Sequence, residues 1–167
     1  MFQINDVIIY GTQGVCKITG TEEKLIGGKQ KTYYILKPVS DQGSTIFAPV
    51  DNPLVLNKMR RLLTKDEIHK LIDSMESEDA VWVANENERM ELYRSILAKG
   101  NHLELIRMIK AIYAHKKERE SEGKRLHMSD ERFFKDAEQI LYNEFQYVLH
   151  LGSKADLMTY ILARLEK

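Results

Sequence analysis

Cysteine is almost absent. Cys16 stands alone among 167 residues, so no disulfide can close within the chain and a reducing compartment is expected. Proline is scarce too: Pro38, Pro49 and Pro53 are the only three, and nothing after residue 53 forbids helix on that account. Tryptophan occurs once, at Trp82. Net charge is missing, because 25 basic residues balance 25 acidic ones, and bulk electrostatics therefore favours no partner. No apolar run approaches the roughly 20 residues that span a bilayer, and Met1 to Gly20 lacks the pattern of a secretory signal, so a cytoplasmic protein with no membrane partner is expected. Internal repeats and low-complexity segments are absent as well.

Catalytic patterns are equally thin. The five histidines are scattered, with no His or Cys partner at helical spacing to form a metal pair. Cys16 sits in a strand-like stretch with no base visible nearby, as a small buried hydrophobe would. Gly27-Gly28-Lys29-Gln30 lacks the upstream glycine and the following Ser/Thr of a phosphate loop, and a hairpin turn accounts for it. Glu76, Glu78 and Asp79 do not have the ligand spacing of a calcium loop. The expectation is a protein with no catalytic residues, no metal, no cofactor and no small-molecule substrate, hence not an enzyme.

What is present falls into two parts. Residues 1–53 read as short strands: Val7–Tyr10, Val15–Leu25, Thr32–Lys37 and Ser44–Ala48, punctuated by Gly11 to Gly14, Gly27-Gly28, Pro38 and Pro49. This predicts a small bent antiparallel sheet or barrel. In Ser44–Ala48 the period of two places Ile46 and Phe47 on opposite faces, so one of them points away from the core and the strand offers an edge or face to a partner.

Residues 54–167 change to helical periodicity. Thr64 and Glu67 form a capping box before Ile68, Leu71, Ile72 and Met75. Asn85 or Asn87 starts a helix through Leu97 that Gly100 closes, and Asn101, with Glu104 three residues on, starts the next. Ser129 and Ser153 cap two more, while Leu54–Leu63 is a short apolar-basic helical stretch. The expected whole is an α+β chain: a sheet followed by a compact bundle of about five helices.

Charge is segregated inside this second part. Asp66–Glu91 holds nine carboxylates against Lys70 and Arg89, whereas Arg107–Arg125 holds seven basic residues against three glutamates. On the helix after Asn101, Leu105, Met108, Ile109 and Ile112 make one buried face, and Lys116 falls on the same side. A lysine is cheap there only where the helix has outrun the body it packs on. The helix therefore docks with its first half and presents a basic tip: Lys116, Lys117, Arg119, Lys124 and Arg125, flanked by Arg107 and Lys110. Such a tip suits phosphates, and Trp82 suits stacking or wedging between bases, although the carboxylates around it repel phosphate.

Several residues carry a resemblance. Asp6-Val7, Tyr10, Gly14, the Gln30-Lys31 arm, Tyr34-x-Leu36-Lys37, and Pro49 with Asn52 recur in order, followed by Gly123-Lys124 and Ala137-x-Gln139-Ile140-Leu141-x-x-Glu144. In these features the chain resembles the CarD/CdnL family of bacterial transcription regulators. The resemblance implies a Tudor-like N-terminal domain that binds the β subunit of RNA polymerase by extending a sheet, with Thr45, Ile46 and Phe47 as the docking edge and Lys24 where family members carry a polymerase-facing arginine. It implies a helical domain that touches promoter DNA through Trp82, Arg89 and the basic tip, stabilises the open complex, and associates with the nucleoid through polymerase. There are two departures. Phe47 aligns with a second family arginine. Anchoring on Gly100 places Glu86, not Trp82, at the family's wedge tryptophan, with Asn87-Glu88-Arg89 for its basic cluster. The alternative reading is a protein-interaction adaptor without DNA contact, whose acidic Asp66–Glu91 stretch takes a basic partner.

Overall fold

A computed structural model describes residues 2–80 and 82–166. The chain divides into two compact units, Met1–Leu62 and Leu63–Lys167. The first unit contains β1 (Val7–Tyr10), β2 (Val15–Ile26), β3 (Lys29–Pro38), β4 (Ile46–Pro49), a one-turn helix α1 (Pro53–Leu56) and β5 (Met59–Arg61). All pairings are antiparallel and the order is β4-β3-β2-β1-β5, so β4 and β5 are the two edges.

Strand β5 has no counterpart in the sequence reading, where Leu54–Leu63 was expected to be helical. Asn52 accepts from the Leu54 amide and Pro53 takes a helical first position, but α1 lasts only four residues. Met59 to Arg61 then pair with Tyr10 to Ile8. Three residues are too few for any periodicity to register, and it is the partner strand that makes them extended. The sheet therefore needs residues beyond the change of period at Pro53. Its inner face is built from Ile8, Cys16, Ile18, Tyr34, Leu36, Ala48 and Met59, with Val55 and Leu56 packed against them.

The second unit is a bundle of five helices: α2 (Lys65–Ser74), α3 (Glu86–Lys99), α4 (His102–Ser121), α5 (Met128–Leu149) and α6 (Lys154–Leu165). Local chemistry sets their starts. The Thr64–Glu67 capping box forms in both directions, and Asn85, Asn101 and Ser153 each accept an amide hydrogen bond from the third residue beyond. Each such cap is worth about 1 kcal/mol. Helix α5 begins earlier than expected: Ser129 lies inside it and His127 is at the cap without a side-chain bond. Asp130, one turn in, is drawn inward to a different partner. The core is continuous through Ile68, Ile72, Tyr93, Leu105, Met108, Ile112, Leu141, Phe145 and Leu157.

Candidate functional site

The β4 edge can be specified by backbone arithmetic. Its register with β3 runs Leu36↔Ile46, Ile35↔Phe47, Tyr34↔Ala48 and Tyr33↔Pro49. The Val50 amide donates to Thr32 O at 3.1 Å, which fixes the phase. Antiparallel pairs alternate between bonded and non-bonded, so Ile46 and Ala48 spend their backbone groups on β3. Thr45 and Phe47 turn theirs to the open side, and Pro49, lacking an N–H, ends the usable edge. Of the expected docking residues, Ile46 is corrected: it is half-buried, packs on the core and bonds inward. Phe47 is its outward counterpart at 38% exposed.

Lys24 lies on the same outward face. Its Nζ sits 3.5 Å from the Phe47 ring centroid and 6.0 Å from that of Tyr33. An exposed cation–π contact of this kind is worth about 0.5–1 kcal/mol. Lys37 donates to the Thr45 hydroxyl, so the edge is ordered by lysines at both of its open positions.

Of the expected DNA-facing residues of the helical unit, Arg89 is buried, whereas Trp82 packs on α4 beside the start of the basic tip. Trp82 stacks on His115 of α4, with centroids 3.7 Å apart and planes 9° from parallel. The Arg89 guanidinium carbon lies 4.3 Å from the indole centroid. Arg89 is only 3% exposed, and its forked guanidinium meets Asp130 through Nε to Oδ1 at 2.9 Å and Nη2 to Oδ2 at 3.0 Å. Its third nitrogen donates to the Val83 and Ala84 carbonyls. Asp130 is fully buried. Arg89 is therefore corrected from a phosphate contact to an internal tie, and it pins the irregular segment carrying Trp82 onto α3 and α5. Burial lowers the His115 pKa from its ordinary value, with Glu118 pulling the other way. Glu86, at the family's wedge position, is an exposed acidic residue in the first turn of α3, where it complements the helix dipole.

The end of α4 follows the wheel argument. Its buried residues stop at Ile112, and Lys116 beyond them is half-buried. Gly123 has φ +74, its amide bonds Glu120 O, and the Lys124 amide bonds Arg119 O, a left-handed stop that suits glycine. Arg119 Nε donates to Arg125 O at 2.6 Å and so closes the loop it stands beside. Lys117, Lys124 and Arg125 are exposed; Lys117 pairs loosely with Glu120 at 4.0 Å and Lys124 with Glu122 at 3.7 Å. The flanking residues turn out to be structural. Arg107 pairs with Glu78 at 2.7 Å, and Lys110 binds the carbonyls of Met75, Glu76 and Glu78, tying down the loop after α2. The acidic stretch is likewise dispersed: Asp73 pairs with Arg164, Glu78 with Arg107, and Asp66, Glu67, Glu86 and Glu88 sit in the first turns of helices.

One charged site escaped the sequence reading. Glu144 is fully buried on α5, accepting from the Leu63 amide at 2.8 Å and meeting His102 Nε2 at 2.9 Å. Its place in the motif ending at Glu144 was the signal available. No cluster of three or more His, Cys, Asp or Glu that could hold a metal occurs among the described residues, and no helix there is long and apolar enough to cross a membrane. Burial pushes the Cys16 thiol up to about 11, which removes the thiolate a nucleophile would need.

Comparison with known proteins places one part of the chain. Residues 2–63 match the family model described as the CarD-like/TRCF RID domain. No curated protein matches the chain.

Proposed function

We propose, from the match of residues 2–63 to the CarD-like/TRCF RID family model, that this chain binds the β subunit of RNA polymerase through β4 and touches promoter DNA through the end of α4. The match supports an RNA polymerase-interaction domain over residues 2–63. The observation that carries the reading is the open edge of β4, where the Thr45 and Phe47 backbones face outward beside the Lys24–Phe47 pair. Strand addition at such an edge gives affinity through main-chain bonds, and the neighbouring side chains give specificity. On DNA, Lys116, Lys117, Lys124 and Arg125 are the cations in reach, with Arg119 shaping their loop. A protein that binds the open promoter better than the closed one shifts that equilibrium by its differential affinity, and this is the mechanism proposed for open-complex stabilisation.

The test uses the full chain, because residues 1–53 would lack β5. Immobilised protein is expected to retain the purified polymerase β subunit. Thr45→Pro removes one of the two outward amides at a position where an edge strand tolerates proline, and is expected to cut retention at least tenfold with the far-ultraviolet dichroism unchanged. Absence of retention by the wild type would sink the reading. The adaptor alternative draws on the Trp82 clamp: if indole fluorescence does not respond to forked DNA while the β subunit still binds, the helical unit acts without DNA.

A further inference from the structure

In the helical unit, α3 and α4 enclose an apolar slot of about 210 Å³, walled by Leu92, Tyr93 and Ile96 on one side and Met108 and Ala111 on the other. That volume is below the roughly 300 Å³ at which small-molecule and cofactor pockets begin, and it suits a single side chain. Leu92, large and apolar, is 44% exposed there. The rim is acidic. Asp79 and Glu104 both line it, and neither forms an ion pair among the described residues. Glu88 lies one turn before Leu92 on α3 and is exposed. The base that lines the slot, Arg107, is held by Glu78 at 2.7 Å.

The same unit carries a segment of opposite character. Met128, the first residue of α5, is 86% exposed, more than any other large apolar side chain among the described residues. It therefore fills no slot of its own chain. An unbranched thioether adapts easily to an irregular apolar hole, and it packs well on an aromatic ring such as that of Tyr93. Lys124 and Arg125 precede it and are exposed, and Arg132, also exposed, follows one turn later on the same side of the helix. Lys124 reaches Glu122 only at 3.7 Å, and Arg125 and Arg132 form no ion pair among the described residues. Glu131, the carboxylate beside them on α5, pairs with Lys135 at 3.9 Å.

We propose that Met128 of one copy enters the α3–α4 slot of a second copy, with Arg125 and Arg132 set against Asp79, Glu88 and Glu104, so that the chain self-associates through its helical unit. The contact stands on the tip and the slot alone and requires neither the polymerase nor the DNA reading. A second copy is the occupant because the chain itself carries the basic–apolar segment that the slot fits. With 25 basic and 25 acidic residues, two copies do not repel as wholes, while their segregated patches attract. One side chain and a few rim charges bury little area, so the contact is weak and reversible.

Sedimentation velocity on the full chain, from about 10 to about 500 µM protein and at about 50 and about 300 mM salt, tests this. The wild type is expected to associate with rising concentration, and less so at the higher salt. Met128→Asp at the tip and Leu92→Asp at the slot are each expected to weaken association at least tenfold with the far-ultraviolet dichroism unchanged. Leu162→Asp, at an exposed apolar position on α6, is expected to leave association as it was. Mixing the Met128→Asp and Leu92→Asp chains is expected to restore a one-to-one pair, because each keeps the half that the other lacks. Asp79→Lys and Arg125→Glu are each expected to weaken association, and the two together in one chain to recover part of it. A wild type that stays monomeric to about 500 µM overturns the proposal and leaves the slot to some other basic–apolar segment. So does association that Met128→Asp and Leu92→Asp leave intact, or a mixture of the two that behaves as inert monomers.

Discussion

Cations in the two units are used in opposite ways. In the helical unit Arg89, Arg107, Lys110, Arg119 and Arg164 each meet a carboxylate or a backbone carbonyl of their own unit. In the sheet unit Lys24 and Lys31 are opposed across a ladder, and neither forms an ion pair among the described residues. A paired cation explains itself, since it joins elements that would otherwise separate. An unpaired pair of like charges on an ordered strand has no such internal reason and points outward. The sign of a charge run therefore says less about function than whether the charges are already satisfied.

The sharpest way to break this contrast is to unpair the buried tie. Asp130→Ala leaves the Arg89 guanidinium buried without its counter-charge and is expected to cost about 3–5 kcal/mol, read from the urea midpoint. Trp82 emission is expected to shift to the red as its clamp loosens, and Trp82 is the only indole in the chain. Arg89→Met/Asp130→Leu removes both charges and is expected to recover much of the loss. A small effect of Asp130→Ala would mean that the pair is incidental, and that Arg89 could be spared for DNA after all.

That tie also marks the limit of what the sequence discloses. Caps at Thr64, Asn85, Asn101 and Ser153 are local chemistry and can be read directly, as can the inside–outside alternation that separates Ile46 from Phe47. The stop of burial at Ile112 follows from Lys116 sharing the apolar side of its wheel. Arg89 is different: its partner lies 41 residues away, and nothing near either residue says that they meet. An arginine beside a lone tryptophan reads as a nucleic-acid contact until the fold supplies Asp130. Strand β5 is hidden for the same reason, since three residues become a strand only against β1. Glu144 was visible as a motif position, but its bond to the Leu63 amide was not.

At the tip of α4 Lys117, Lys124 and Arg125 are exposed, and their ion pairs are loose and solvated, so they should behave unlike the buried Arg89. Lys117→Glu, Lys124→Glu and Arg125→Glu, each alone, are expected to change stability by less than about 0.5 kcal/mol. Their combination is expected to weaken binding to forked promoter DNA and to reduce the slope of log affinity against log salt by roughly 1 for each lost phosphate contact. Arg107→Glu, by contrast, removes the partner of Glu78 and is expected to lower the urea midpoint without touching that slope. If the tip variants leave DNA binding and its salt slope unchanged, those residues are solvated ends and the adaptor reading gains.

The smallest effect tests whether the Trp82 clamp is itself tuned by charge. Burial lowers the His115 pKa below its ordinary 6.5, helped by Arg119 and Arg89 and opposed by Glu118 on its own helix and Asp130 on α5. A histidine whose folded pKa is depressed takes up its proton more readily in the unfolded chain. The unfolded state therefore binds more protons as pH drops below about 6.5, and stability falls with acidification until the folded pKa is passed. His69, also lowered chiefly by burial, adds in the same direction. The stacked imidazole lies close enough to the indole to report its own charge, so Trp82 emission is expected to titrate with a midpoint below 6.5. His115→Gln should abolish that titration and flatten part of the stability slope between pH 7.5 and 5, while His69→Gln flattens a further part without altering the fluorescence. A Trp82 titration that survives in His115→Gln would place the responsible proton elsewhere and show that the stack is packing alone.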